Sequence, residues 1–145
     1  MKIMIVDDER VSRIKMHQIL KSYGECHPVE SGLTAIKAFT EALLAQEPFD
    51  LITLDISMPD LGGPEVLTSI RKLESKNNIP AEKRSKILMV TAHSDYPTVV
   101  NSIEAGCDDY IKKPFSVERV LLKLNAMGLA RSQGLVSEEP PVSSF

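Results

Sequence analysis

The chain has 145 residues, 43% of them hydrophobic and 26% charged, with a formal net charge of −3. That length and near-average composition suit one globular domain able to bury a core without staples, and they exclude fibrous and disordered classes. The acidic balance counts against nucleic-acid binding through bulk charge, no run approaches the roughly 20 apolar residues of a membrane helix, the first apolar run is too short for a secretory signal, and two cysteines make no disulfide framework, which points to a reduced, cytoplasmic setting.

Ile3-Met4-Ile5-Val6 is continuously apolar and reads as a strand buried on both faces. Val11 to Tyr23 reads as a helix ended by Gly24. Cys26-His27-Pro28-Val29 is a weaker strand, and Pro28 assigns it to a sheet edge because it lacks an amide donor. Leu33 to Gln46 predicts a helix carrying Ile36, Phe39, Leu43 and Leu44 on one face, with Pro48 as its stop. Leu51-Ile52-Thr53-Leu54 is the third strand. A turn from Met58 to Gly63 leads into a helix with Pro64 at its first position, burying Val66, Leu67, Ile70 and Leu73. Ser75 to Ser85 is polar and reads as a surface loop. Ile87-Leu88-Met89-Val90 is the fourth strand, Val99, Val100 and Ile103 mark a short helix, and Asp109-Tyr110-Ile111-Lys112 is the fifth strand. Val117, Val120, Leu121, Leu124 and Met127 then recur at helical spacing. Residues 131–145, rich in Ser and Pro, read as a disordered tail or the stub of a linker.

Strands alternating with helices imply a five-stranded parallel sheet, doubly wound in the order 2-1-3-4-5, with helices on both faces. That order makes the second strand an edge, as Pro28 requires, and sets strands 1 and 3 side by side at the switch point. It also places Cys26 and Cys107 toward opposite sides of the sheet, as free thiols.

Ligands of such sheets bind beyond the carboxyl ends of the strands. Those ends carry Asp7, Asp8 and Glu9, then Asp55, then Thr91, then Lys113. Taken singly, each has an ordinary reading: Asp8 as a helix cap, Asp55 as a turn residue, Thr91 as a cap, Lys113 as a solvated cation. Together they are chemically complementary. Crowded carboxylates raise one another's pKa, and a hard cation with oxygen ligands relieves that conflict; Mg2+ suits a few carboxylates. A lysine and a hydroxyl remain to meet an anion, so the set points to phosphoryl transfer to an aspartate.

Val6-Asp7-Asp8-Glu9, Leu54-Asp55-Ile56-Ser57-Met58-Pro59, Val90-Thr91-Ala92 and Lys112-Lys113-Pro114-Phe115 resemble, in order and spacing, the signature blocks of bacterial two-component response-regulator receiver domains. The resemblance runs from about Met1 to Leu129, placing a receiver domain over residues 1–130, and implies a flavodoxin-like fold. It implies that Asp55 is the phospho-acceptor, loaded by a sensor histidine kinase or histidine phosphotransfer protein. Asp8 then holds Mg2+ (or Mn2+) directly, Asp7 holds it through water, and the Ser57 backbone carbonyl adds a ligand. Lys113, often followed by a cis proline, here Pro114, pairs with phosphoryl oxygens. Thr91 and Tyr110 are the switch pair, and Ser57 and His93 sit where phosphoryl lifetime is tuned, although a solvated histidine fits as well. The second helix and the 75–85 loop read as longer than is usual in the family, and Cys107 stands where a small residue is usual.

The expected function is a phosphorylation-controlled switch that is not an enzyme beyond its own phosphotransfer and dephosphorylation. Phosphorylation would reshape the surface of helix 4, strand 5 and helix 5 for a downstream protein, or for a second copy in a homodimer. Two alternatives stand beside it: the receiver portion of a larger regulator, and a Mg2+-dependent aspartyl-phosphate phosphohydrolase. The latter is disfavoured because Ser57 occupies the place where its second acid usually falls. The chain alone is not expected to bind DNA or membrane.

Overall fold

The computed structural model describes residues 1–92 and 96–129. Its elements, in order, are β1 (Lys2–Val6), α1 (Arg10–Leu20), β2 (Glu25–Val29), α2 (Gly32–Leu44), β3 (Leu51–Asp55), α3 (Gly63–Lys76), a single 3-10 turn (Ala81–Lys83), β4 (Lys86–Thr91), α4 (Tyr96–Glu104), β5 (Asp109–Lys112) and α5 (Val117–Ala126). The strands form one sheet in the order β2-β1-β3-β4-β5, all pairs parallel. The expected flavodoxin-like architecture is therefore the observed one.

The two-residue period of a strand divides the core into two layers. Met4, Val6, Ile52, Leu54, Ile87 and Met89 pack with Phe39, Val66, Leu67 and Ile70 of α2 and α3. Ile3, Ile5, Leu51, Leu88, Val90 and Ile111 pack with Met16 and Leu20 of α1 and Val120 and Leu124 of α5. All five residues of β3 are buried, which is why Leu51, Ile52 and Leu54 show no in-out alternation. Pro28 lies in the edge strand β2, as expected. Cys107 packs against the α2–α3 layer and Cys26 against the α1–α5 layer, and both thiols are free.

Helix ends depart from expectation by up to three residues. α1 stops at Leu20 rather than Tyr23, because a turn closed by the Tyr23 N–H on the Leu20 carbonyl (2.8 Å) folds Tyr23 into the core. α2 stops at Leu44, two residues short, and Gln46 takes a left-handed φ of 58°. Leu44, expected on the apolar face with Ile36, Phe39 and Leu43, is exposed at the helix end. α3 starts at Gly63, so Pro64 is its second residue, and the helix extends to Lys76 into the predicted loop. The rest of that loop is not all surface. Ser85 is buried, its N–H donating to Glu74 Oε2 (2.8 Å) and its hydroxyl to the Phe49 carbonyl (2.5 Å). In α4, Val99 is buried while Val100 and Ile103 are exposed. The predicted tail, 131–145, and His93 lie outside the described residues.

Candidate functional site

β1 and β3 are hydrogen-bonded neighbours, with Val6 opposite Leu54, so the residues that follow them meet at one rim. Asp55 ends β3 and Asp7 follows β1 directly; each is only 5% exposed. Asp8 is exposed beside them. One carboxylate oxygen from each of Asp7, Asp8 and Asp55 falls within 4.8 Å of the others. An all-oxygen set of three acids, two of them buried, fits a hard divalent cation.

Lys113 reaches this cluster from beyond β5. Its N–H donates to the Thr91 carbonyl (2.8 Å), which fixes the backbone against the end of β4. Its ammonium then stands 3.1 Å from Asp7 Oδ2, 3.2 Å from Glu9 Oε1 and 3.5 Å from Asp55 Oδ1. The Lys113–Pro114 peptide is cis.

The electrostatics follow from this crowding. Burial, and then the Asp7 charge, push the Asp55 carboxyl up to about 7; Asp8 adds to the rise and Lys113 only partly opposes it. Burial alone would lower Lys113, but the charges of Asp55 and Asp7 outweigh it and hold the ammonium above its ordinary value. Glu9 is held below the usual carboxylate range by the Ser12 hydroxyl and then by Lys113.

Asp8, Glu9, Asp55, Ser57, Ala92 and Lys113 line an open cleft over the cluster. Thr91 and Tyr110, also expected at the site, lie in β4 and β5. Thr91 is buried at the end of β4 with its hydroxyl donating to the Ala92 carbonyl (2.8 Å). Tyr110 is half-buried against the α2–α3 layer, with Lys123 Nζ 5.3 Å from its ring centroid.

Four further residues shape the rim. Glu9 meets Lys113. Arg13 Nη1 donates to the Asp7 carbonyl (2.9 Å), and Lys15 Nζ donates to the Phe115 carbonyl two residues beyond Lys113. Gly63 lets α3 start against the end of β3: a Cβ there would lie 2.4 Å from the Asp55 carbonyl oxygen. The Gly62-Gly63-Pro64 turn and the three-residue spacing of Glu9 and Ser12 are local signals for two of these. Lys15 and Phe115 are 100 residues apart, and no local pattern joins them.

A doubly wound sheet whose rim gathers three acids under a lysine defines a flavodoxin-like domain suited to hold a divalent cation beside an anion. A sequence model of the response regulator receiver domain matches residues 3–125. The chain belongs to that family, the receiver domains of two-component response regulators. It is 32% identical over 139 residues to the transcriptional regulatory protein SrrA of Staphylococcus aureus, a match covering 95% of this chain and 52% of the relative. The chain thus spans about half the length of the curated relatives it matches. Among solved structures, the receiver domain of NtrX from Brucella abortus superposes with a TM-score of 0.70 at 28% identity, covering 86% of this chain and 95% of that one. The receiver domain of the histidine kinase CKI1 from Arabidopsis thaliana, complexed with Mg2+ and BeF3−, gives a TM-score of 0.73 at 28% identity, with 86% and 89% covered. Among the described residues no helix is long and apolar enough to cross a membrane.

Proposed function

We propose that this domain is a switch set by phosphorylation of Asp55. The carrying observation is the convergence of Asp7, Asp8 and Asp55 within 4.8 Å under the ammonium of Lys113. Asp55 is the nucleophile because it is the acid at the end of a central strand, fixed by β-pairing and facing the cleft. In its ionised form, one carboxylate oxygen attacks the phosphorus of a phosphohistidine; the P–N bond breaks and its electron pair returns to the imidazole, which takes up a proton. Asp8 and Asp55, with the Ser57 carbonyl, would hold Mg2+ directly, and Asp7 through water. Mg2+, when bound, neutralises carboxylate charge and stabilises the charge of the transferring group. Lys113 pairs with phosphoryl oxygens. The Thr91 hydroxyl, which donates to the neighbouring Ala92 carbonyl, turns toward the phosphoryl group, and Tyr110 follows it inward. Ser57, exposed at the cleft, tunes phosphoryl lifetime, and His93 shares that role.

The donor is a sensor histidine kinase or histidine phosphotransfer protein, and the output is a surface offered to another protein or to a further segment of the same regulator. That SrrA is a transcriptional regulator of roughly twice this length supports the second form. Catalysis is confined to the domain's own phosphotransfer and dephosphorylation. Incubation with Mg2+ and acetyl phosphate should add one acid-labile phosphoryl group, read by intact mass. Equal labelling of Asp55→Asn would remove Asp55 from the role.

A further inference from the structure

Lys113 is surrounded by more acids than the acceptor reading uses. An ammonium has three N–H donors, and Asp7, Glu9 and Asp55 stand at 3.1, 3.2 and 3.5 Å from it. Asp7 and Asp55 belong to the converging acidic cluster; Glu9 does not. Its side chain is 60% exposed and lines the mouth of the cleft.

Two local bonds hold Glu9 in place. Its N–H donates to Asp7 Oδ1 (2.9 Å), and the Ser12 hydroxyl, one turn into α1, donates to Glu9 Oε1 (2.6 Å). That oxygen is the one that meets Lys113. Exposed ion pairs usually contribute little because two long side chains must be ordered. Here the acid is already oriented by Ser12, so less freedom is lost in forming the pair.

We propose that Glu9 is a placeholder for the phosphoryl group: it occupies Lys113 in the resting domain and competes for it with the phosphoryl group when Asp55 is loaded. This rests on Asp55 being the acceptor. Loading converts the Asp55 carboxylate itself into the phosphoryl ester, so the incoming group meets an ammonium still held by Asp7 and Glu9. Of these two, Asp7 is buried at the end of β1, whereas Glu9 has solvent to turn into. The Glu9 charge also faces any anionic donor entering the cleft, so both effects slow loading. Glu9 is thus a positioning residue that acts through Lys113, and Ser12 sets how firmly it acts.

The test measures initial rates of Asp55 labelling at saturating Mg2+ with acetyl phosphate, whose P–O bond breaks as acetate leaves with the electron pair. Glu9→Gln should load about fivefold faster than wild type, the size expected for removing one unit-charge repulsion over about 4 Å in a water-like dielectric. Ser12→Ala should fall between the two. The gain of Glu9→Gln should shrink with phosphoramidate, which carries less charge. Glu9→Asp keeps the charge but shortens the reach to Lys113, so it too should exceed wild type; a rate equal to wild type would mean repulsion alone and overturn the placeholder. Wild-type labelling on Asp55 with Glu9→Gln at or below the wild-type rate overturns the inference and leaves the acceptor in place. Absence of any labelling in wild type overturns the acceptor reading, and this inference with it.

Discussion

Asp55 and Lys113 stand 3.5 Å apart although their strands, β3 and β5, are not neighbours in the sheet. β4 lies between them, and the end of β4 makes the approach possible: the Thr91 carbonyl accepts the Lys113 N–H (2.8 Å) and aims the side chain back across the rim. The cation that faces Asp55 is therefore hung on the backbone of Thr91, the residue proposed to carry the switch hydroxyl. Any movement at Thr91 is felt at Lys113 through one hydrogen bond.

Despite that cation, Asp55 has a carboxyl raised from its ordinary 3.8 to about 7, by burial first and the Asp7 charge second. Between those values the folded metal-free domain holds a proton that the unfolded chain has released. Stability should therefore fall as pH rises from about 4 to about 7 and level off above, by up to about 4 kcal/mol before solvent screening at the open cleft reduces it. Asp55→Asn should lack this slope and be the more stable protein at pH 8 without metal. The same proton competes with a cation, so apparent Mg2+ affinity should weaken by up to about tenfold per pH unit below 7. Urea unfolding across pH and calorimetric Mg2+ titration check the two arms.

Asp8 is the exposed member of the acidic set, so its removal tests the metal site with little risk to the fold. Asp8→Ala should weaken Mg2+ binding by at least about tenfold, the loss of one charged oxygen ligand from a site with few. Its melting temperature without metal should be unchanged or higher, because Asp8 is one of the groups that raise Asp55. Unchanged Mg2+ affinity would take Asp8 out of the site.

How much of this was legible in the sequence depends on the range of the interaction. β1, β3 and β4 could be read directly because burial on both faces makes them continuous apolar runs, and the chemistry at their ends follows from doubly wound topology. Asp7, Asp8, Asp55 and Lys113 come together as that reading implies. What could not be read is set by tertiary contact. Tyr23 has helical spacing, yet Gly24 passes so close to Met1 that a Cβ there would lie 2.0 Å from the Met1 carbonyl oxygen, and the chain must turn before it. Ser85 looks like loop surface until Glu74, eleven residues earlier, is folded beneath it. Glu9 was visible at its strand end, but its pairing with Lys113, 104 residues away, was not.

Gly63 ties the fold to the site. A Cβ there would lie 2.4 Å from the Asp55 carbonyl oxygen and 2.9 Å from Ile56 Cα, distances that backbone atoms cannot absorb without moving. The Gly63 N–H also donates to the Ile56 carbonyl (2.9 Å), so the start of α3 and the segment after Asp55 move together. Gly63→Ala should destabilise the domain by about 1–3 kcal/mol. It should also weaken Mg2+ binding, because the shift displaces Asp55. Gly62→Ala meets first the end of the flexible Glu65 side chain, at 2.7 Å, and should cost less in both measurements.

At the opposite end of β4, Arg71 joins three segments through one guanidinium. It donates to Glu74 Oε1 (2.7 Å), to the carbonyls of Ser85 (2.9 Å) and Gly106 (3.0 Å), and to Asp108 Oδ2 (3.0 Å). The Glu74 side chain is 2% exposed, so its charge depends on Arg71 and on the Ser85 N–H. Arg71→Ala would leave a buried carboxylate without its cation, and breaking such a pair costs about 3–5 kcal/mol. If the loss comes from the stranded charge rather than from the loop contacts, adding Glu74→Gln should recover part of it. Urea unfolding of wild type, Arg71→Ala, Glu74→Gln and the double variant measures that coupling directly. Additive losses would show instead that Arg71 acts mainly through Gly106 and Asp108, holding the turn between α4 and β5.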